Sequence, residues 1–310
     1  MAWVPGTNTI FYTEKNTGKI RVVKAGQLKR TVCADLPVDN DGEQGGLGIV
    51  LHPDYATNHF LYVYFSSRGA QDNRIARFEV VDDRCTNKTI IFSGIPDYFI
   101  HNGGQLEFVD GYLFVTTGDA GNQGSAQNLN TLAGKVLRLN PDGSIPEDNP
   151  FPFPSGHPAV WSYGHRNGFG LAARADTSQL FQSENGPGCD DEVNIILEGE
   201  NYGWGQNYPC SGPGVGTTPT AALREWTPTI APTDLTWYRG RLDVLHDTLL
   251  MGDYNDGSIH RFELNEDGTD ITDESIVHVA SRGVLDVARG PRGWLYFLTP
   301  SAIKRIKEVP

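Results

Sequence analysis

Positive charge is what this chain is short of. Lys and Arg number 25 against 38 Asp and Glu, leaving a net charge of −13 over 310 residues. A protein that grips a nucleic-acid backbone needs a basic footprint to displace counterions, so nucleic acid is excluded as a partner. No apolar run approaches the ~18–20 residues of a bilayer-crossing helix, so no membrane span is expected. The first residues, Met1-Ala2-Trp3-Val4-Pro5, have neither a basic n-region nor an apolar h-region, and no signal peptide is expected in them. No segment keeps a 3.6-residue amphipathic period over three turns, which argues against a helical domain. GxxxxGK[ST], GxGxxG after a strand, HExxH and GxSxG are all missing, so ATP, nicotinamide and serine-hydrolase chemistries lack their minimal parts.

What is present is a soluble-type composition able to build a core, with 38% hydrophobic and 10% aromatic residues. Glycine (36) and proline (19) are plentiful, yet short of the ~25–30% that marks a disordered chain. The four cysteines form no CxxC, which disfavours a zinc or thioredoxin-type site. Their even number suits two disulfides, with Cys33–Cys85 and Cys189–Cys210 favoured, and hence an oxidising compartment, periplasmic or extracellular. Two other pairings, or four buried thiols, stay open at this level. Asn87-Lys88-Thr89 is a glycosylation sequon, too short a pattern to weigh by itself.

A short apolar strand recurs six times: Ile10-Phe11-Tyr12, Leu61-Tyr62-Val63, Leu113-Phe114-Val115, Leu180-Phe181, Leu249-Leu250-Met251 and Leu295-Tyr296-Phe297. Each is followed by a turn and a second strand with a polar residue in an apolar frame, such as Ile75-Ala76-Arg77-Phe78 or Ile259-His260-Arg261-Phe262. Six units in this length average about 50 residues, the size of a four-stranded propeller blade. Length alone suggests two domains of about 150 residues. The repeat outweighs that prior and predicts an all-β fold over residues 1–310: one six-bladed β-propeller with four-stranded antiparallel blades. Closure into a ring leaves only short strand edges exposed, whereas an array of β-sandwich units, the runner-up, does not explain the regular spacing. Longer intervals after Asp119 and after Gly186 mark inserted loops, where function tends to sit.

Polar clusters fall at the junctions of these units: residues 42–48 (GEQGGLG), 101–105 (HNGGQ), 118–121 (GDAG), 164–168 (GHRNG) and 183–192 (SENGPGCDDE). Loops at one strand phase of a propeller point to one end of the channel, so His101, Asp119 and Arg166 can converge. A His beside a carboxylate makes a better base, and an Arg supplies a fixed cation for a developing oxyanion. Each cluster also has a purely structural reading: a satisfied His, glycines that serve turns, and a solvated acidic turn at 190–192.

The clusters, in order and over nearly the whole chain, resemble the soluble quinoprotein glucose and aldose sugar dehydrogenases of the glucose/sorbosone dehydrogenase family. The segments that carry the resemblance are GEQGGLGIVLHPDY (42–55), HNGGQLEF (101–108), TGDAGN (117–122), LAGKVLRLNPDGSIPEDNPF (132–151), YGHRNGFGLA (163–172), SENGPGCDDEVNII (183–196) and NYGWG (201–205). The resemblance implies oxidation of an aldose C1 hydroxyl to a lactone, with pyrroloquinoline quinone (PQQ) and calcium as cofactors, a sugar substrate and an external electron acceptor. By the same resemblance His101 is the general base, Asp119 its supporting carboxylate, and Arg166 the cation near the quinone carbonyl. Gln44 becomes a substrate-side contact, and Asn167, Asn185 and Thr229 polar cofactor contacts. The carbonyls of Gly186 and Pro187 become ligands of the cofactor's calcium, and Glu192 with the Tyr202 carbonyl a second, structural calcium site.

The resemblance breaks where the family meets the cofactor's three carboxylates with a Lys and two Arg. The corresponding positions read Asn255, Gly283 and Leu285, with Arg282 one residue out of register. Arg239, Arg241 and Arg289 are candidate replacements. Two further readings are therefore carried: a calcium-binding propeller of the same family that has lost tight PQQ binding, and a metal-dependent lactonase in which His101 activates water.

Overall fold

The computed structural model describes residues 1–210, 214–216 and 218–309. Six antiparallel sheets succeed one another along the chain and stand around a common axis as the blades of a propeller. Blades 2 to 5 are four-stranded: Gly46–Leu51 to Arg84–Ile95, Gly103–Val109 to Val160–Tyr163, Gly168–Arg174 to Arg224–Trp226, and Pro232–Tyr238 to Ile271–Val279. Blade 1 begins with Ala2–Trp3, Thr9–Glu14 and Lys19–Lys24 and carries its outer edge as two short pieces, Gln27–Leu28 and Ala34–Asp35. Blade 6 departs from the expected four strands. Among the described residues it has three, Asp286–Arg289, Leu295–Thr299 and Ala302–Ile306.

The recurring apolar strand is the second strand of every blade, and its partner is the third. Both faces of a middle strand are covered by neighbouring blades, which is why it reads as a near-continuous apolar run. Side chains alternate across such a strand. Leu61, Val63 and Phe65 join Phe11, Ile20 and Val22 of blade 1, whereas Tyr62 and Tyr64 join Leu113, Val115 and Leu137 of blade 3. The same arrangement seals blades 3–4, 4–5 and 5–6. Each fully buried Leu or Phe contributes about 1.5–3 kcal/mol of transfer free energy. Among the described residues no equivalent cluster joins blade 6 to blade 1; there Trp3 meets Tyr296, with ring centroids 4.4 Å apart.

Both predicted disulfides are present. Cys33–Cys85 ties the edge of blade 1 to the outer strand of blade 2, and Cys189–Cys210 ties the 185–190 turn to the long connection after residue 196. The large insertion in blade 4 thus follows the third strand rather than Gly186 itself.

In such blades, the turn from second to third strand and the link from outer strand to the next inner strand leave at the same end. That end is the mouth. The inner strands of blades 2 to 5 each carry a register shift near the mouth, at Gly46/Ile49, Gly103/Leu106, Gly168/Gly170 and Pro232/Leu235. Bulges bend a strand and re-aim its side chains.

Candidate functional site

At the mouth opens a cavity of ≈ 1610 Å³, whose wall includes Glu43, His101, Arg166, Asn167, Asn185, Gly186, Tyr254 and Leu285. It continues down the blade 6–blade 1 seam past Ile10, Tyr12, Tyr296 and Ile303.

His101 stands in the loop before the inner strand of blade 3. Its backbone is left-handed, φ 58°, a conformation that a residue with a Cβ adopts only when its surroundings enforce it. Two contacts do so: its N–H donates to Glu43 Oε2 at 2.7 Å, and its carbonyl accepts from Ala120 N at 3.1 Å. Gly118 lies so close that a Cβ there would meet the His101 carbonyl oxygen at 1.9 Å, so this position tolerates only glycine. His101 Nδ1 lies 2.7 Å from Asp119 Oδ1, with its side chain 12% exposed. Nε2 makes no hydrogen bond among the described residues.

Asp119 is itself fully engaged. Oδ1 also accepts from Gly121 N at 2.8 Å, and Oδ2 accepts from the Trp204 indole N–H at 2.8 Å. Trp204 is buried, and its ring lies 5.4 Å from the Arg166 guanidinium carbon. One indole therefore touches both the carboxylate behind the histidine and the cation beside it. The loop bearing Asp119 is pinned from below by Lys135, which is fully buried. Its Nζ donates to the carbonyls of Ser125, Ala126 and Ala133 at 2.8, 3.0 and 2.6 Å. Burial pulls its pKa down to about 7.

Arg166 donates from NH1 to the Asn185 carbonyl at 2.7 Å, while its Nε is buried without a partner. Burial lowers its pKa, and the surrounding Asp119, Glu184, Glu43 and Asp191 charges oppose that. Glu184 accepts from the Arg166 backbone N–H and contacts His165 Nδ1 at 2.8 Å. His165 Nε2 in turn lies 2.9 Å from Ser162 Oγ. The set has the look of a nucleophilic triad, but Ser162 and His165 are completely buried, so it orients Arg166 rather than meeting a substrate.

The remaining predicted positions sort by place. Asn167 and Asn185 line the cavity. Asn167 is already committed, accepting from Gly103 N at 3.1 Å and donating to Glu43 Oε2 at 3.0 Å, which ties three blades together. Asn185 donates to the Pro232 carbonyl at 2.6 Å. Gln44 lies on the mouth loop and donates to Asp97 at 2.7 Å; its neighbour Glu43, not Gln44, is in the cavity wall. Thr229 also lies outside that wall, its carbonyl accepting from Asn255 at 3.1 Å.

Gly186, Pro187, Glu192 and Tyr202 meet around one small second cavity of ≈ 10 Å³, together with Glu184 and Asp190. Asp191 sets the turn there by accepting from Gly186 N at 2.8 Å and from Ile230 N and Ala231 N at 2.7 Å. Burial first, then the neighbouring Glu184 charge, holds the Glu192 carboxyl well above the usual range.

The far side of the mouth differs. A Cβ on Gly283 would meet Tyr254 at 2.6 Å, so Tyr254 fills the space a longer side chain would need. Residues 280–285 form a bend rather than a strand, so alternation does not decide where Arg282 points. The candidate replacements are not at the mouth. Arg239 pairs with Asp176 and Asp247, Arg241 stacks 4.2 Å from Trp294, and Arg289 ends an inner strand; all three lie at the opposite end. Of the functional set, Glu43, Glu184, Trp204 and Lys135 were not singled out from sequence, although all four stand inside segments that were.

Comparison with known proteins agrees with this geometry. The sequence model of the glucose/sorbosone dehydrogenase family matches residues 1–307. An aldose sugar dehydrogenase of Escherichia coli is 30% identical, covering 100% of this chain and 88% of its own length. An uncharacterized protein of Synechocystis sp. is 35% identical over 96% of this chain and 80% of its own. Among solved structures, the PQQ-bound aldose sugar dehydrogenase of Streptomyces coelicolor superposes with a TM-score of 0.83 at 33% identity, covering 96% of this chain and 86% of that one. With a family match over nearly every residue and a shared propeller, the chain belongs to the glucose/sorbosone dehydrogenase family.

Proposed function

We propose that this protein is a PQQ- and calcium-dependent dehydrogenase that oxidises the C1 hydroxyl of an aldose to the lactone and passes the electrons to an external acceptor. The observation that carries the reading is the His101–Asp119 pair in the wall of a large cavity, with Nε2 free and a half-satisfied arginine beside it. The Streptomyces relative named as PQQ-bound supports the cofactor, and the Escherichia relative named as an aldose sugar dehydrogenase supports the substrate class.

When bound, the quinone supplies a two-electron acceptor, and calcium supplies a hard cation that polarises it. The chain's own residues do the rest. Asp119 accepts from Nδ1–H and so leaves Nε2 as the lone-pair nitrogen, placed to take the C1 hydroxyl proton. Arg166, anchored through NH1 on the Asn185 carbonyl, stands in the cavity wall as a fixed cation for an oxygen that gains negative charge, and being fixed in advance it needs no reorganisation. Asn167 and Asn185, in the cavity wall, are the cofactor-side polar groups, while Gln44 and Thr229 stand outside that wall and keep at most a supporting place. Where two calcium sites were expected, Gly186, Pro187, Glu192 and Tyr202 share one small cavity that Arg166 also lines; it is about the size of one ion or water, and one calcium there would relieve the crowding of Glu192 and Glu184. The two disulfides support a periplasmic or extracellular setting.

The neutral far side of the mouth favours a second reading, in which calcium is kept and quinone is held weakly. The hydrolytic reading gains no separate support, since it would draw on the same small cavity that the first reading assigns to calcium. The deciding experiment reconstitutes the apo-protein with calcium and saturating quinone and follows dye reduction on adding an aldose. Sugar-dependent turnover is expected; calcium-dependent melting with no response to quinone would establish the second reading instead.

A further inference from the structure

Fixed positive charge at the mouth is scarce, and its location can be traced by elimination. Among the described residues four basic side chains line the large cavity: Lys15, Arg166, Arg292 and Arg305. Arg292 belongs to the turn Pro291–Gly293, at the end of the ring away from His101. Arg305 is exposed on the edge strand of blade 6. Arg166 has one nitrogen committed to the Asn185 carbonyl and its face against Trp204.

That leaves Lys15. It sits in the turn between the second and third strands of blade 1, the phase that opens at the mouth, and it shares the cavity wall with Glu43 and His101. Its Nζ makes one hydrogen bond among the described residues, to Asn16 Oδ1 at 3.0 Å, and no ion pair within 4.0 Å. An ammonium has three donors, so two are unassigned. Glu43, the acid whose charge acts on it, already accepts from the His101 and Asn167 nitrogens through Oε2 and does not neutralise it by contact. The Lys15 stem packs against Gly45, where an added Cβ would meet the Lys15 carbonyl oxygen at 2.4 Å and Cγ at 2.6 Å.

We propose that Lys15 is the carboxylate-binding cation of the mouth, so that blade 1 rather than blades 5 and 6 anchors an aromatic polycarboxylate lying over His101 and Arg166. The inference rests on the reading above, in which that ligand is the quinone, and it moves the anchoring charge to the opposite side of the seam.

The test titrates PQQ into the calcium-loaded apo-protein and follows quenching of tryptophan fluorescence, to which Trp204 beside Arg166 contributes. Lys15→Gln is expected to weaken binding about tenfold, the effect of losing one charge-assisted contact at a part-exposed site. Lys15→Arg should keep most of the affinity. Arg282→Gln makes the same change in net charge on another loop at the mouth and should leave binding unchanged. Melting temperatures without quinone should match for all four proteins. Unchanged affinity in Lys15→Gln overturns the proposal, as does an equal loss in Arg282→Gln, which would mark a diffuse field rather than a contact. Absence of any quenching in the wild-type protein overturns the quinone reading itself and Lys15's role with it.

Discussion

The mouth of this propeller has two unlike halves. Along the arc of blades 2 to 4, Glu43, His101, Asp119, Asn167 and Trp204 satisfy one another through short hydrogen bonds, and beside them Glu184 holds His165 and the Arg166 backbone. Along the arc of blades 5, 6 and 1, the wall includes Tyr254, Leu285, Pro300 and Ser301 with Lys15 as its cation, and among the described residues no apolar cluster seals the 6–1 seam. The first arc is over-determined and suits proton handling, which needs placement to fractions of an ångström. The second is loosely specified, and it is the half where the resemblance fails. Chemistry and ligand retention are thus written on different blades and can diverge separately.

Four substitutions test that division. His101→Ala should reduce sugar-dependent turnover of the reconstituted protein by about 10³-fold, the usual worth of a general base, with quinone affinity unchanged. A similar loss in affinity would merge the two halves. Leu285→Arg adds a cation on the loose arc and should tighten quinone binding about tenfold in the fluorescence titration, whereas Gly283→Arg should instead lower the melting temperature, since Tyr254 occupies its space.

Trp204→Phe keeps the ring but deletes the N–H to Asp119. We expect kcat to fall roughly tenfold. Quinone affinity in the fluorescence titration should stay unchanged, since the deleted N–H touches the carboxylate behind the histidine and not the ligand. A merely structural tryptophan would lower the melting temperature and the affinity together.

The smallest effect probes what the polar arc costs. Glu107, on the inner strand of blade 3, is pushed by burial from 4.5 up to about 8. The folded chain therefore keeps a proton that the unfolded chain releases, and stability from this group falls as pH rises from about 4.5 to about 8. Glu107→Gln should melt about 2 °C higher than wild type at pH 8–9 and at the same temperature below pH 4.5. A pH-independent difference would show that burial of the charge is not the cause.

How much was legible follows from exposure. Middle strands such as Leu61-Tyr62-Val63-Tyr64-Phe65 announce themselves because both faces are covered. Inner strands such as GGQLEFV (103–109) and PTDLTWY (232–238) are bulged and polar toward the channel, so no simple period survives. Outer strands such as Ile271–Val279 are largely exposed and read as loop. His101, Asp119 and Arg166 stood out because glycines frame them. Trp204 did not, because its meaning lies in a contact with Asp119, 85 residues away. Lys15 carried no motif at all, and the Arg residues proposed in its stead proved to sit at the wrong end once strand phase was known.

The Cys33–Cys85 bridge has a consequence for the life of the molecule. Among the described residues the apolar cluster of blade 1 lies on its blade 2 side, and on that side it is also stitched across a 52-residue separation. Glutathione cutting that stitch would leave the first blade as a loose tongue, free to peel from the unsealed flank inward. Unwinding would then start at Lys15's own blade, so that a thiol-rich surrounding disarms ligand capture before it disturbs the histidine.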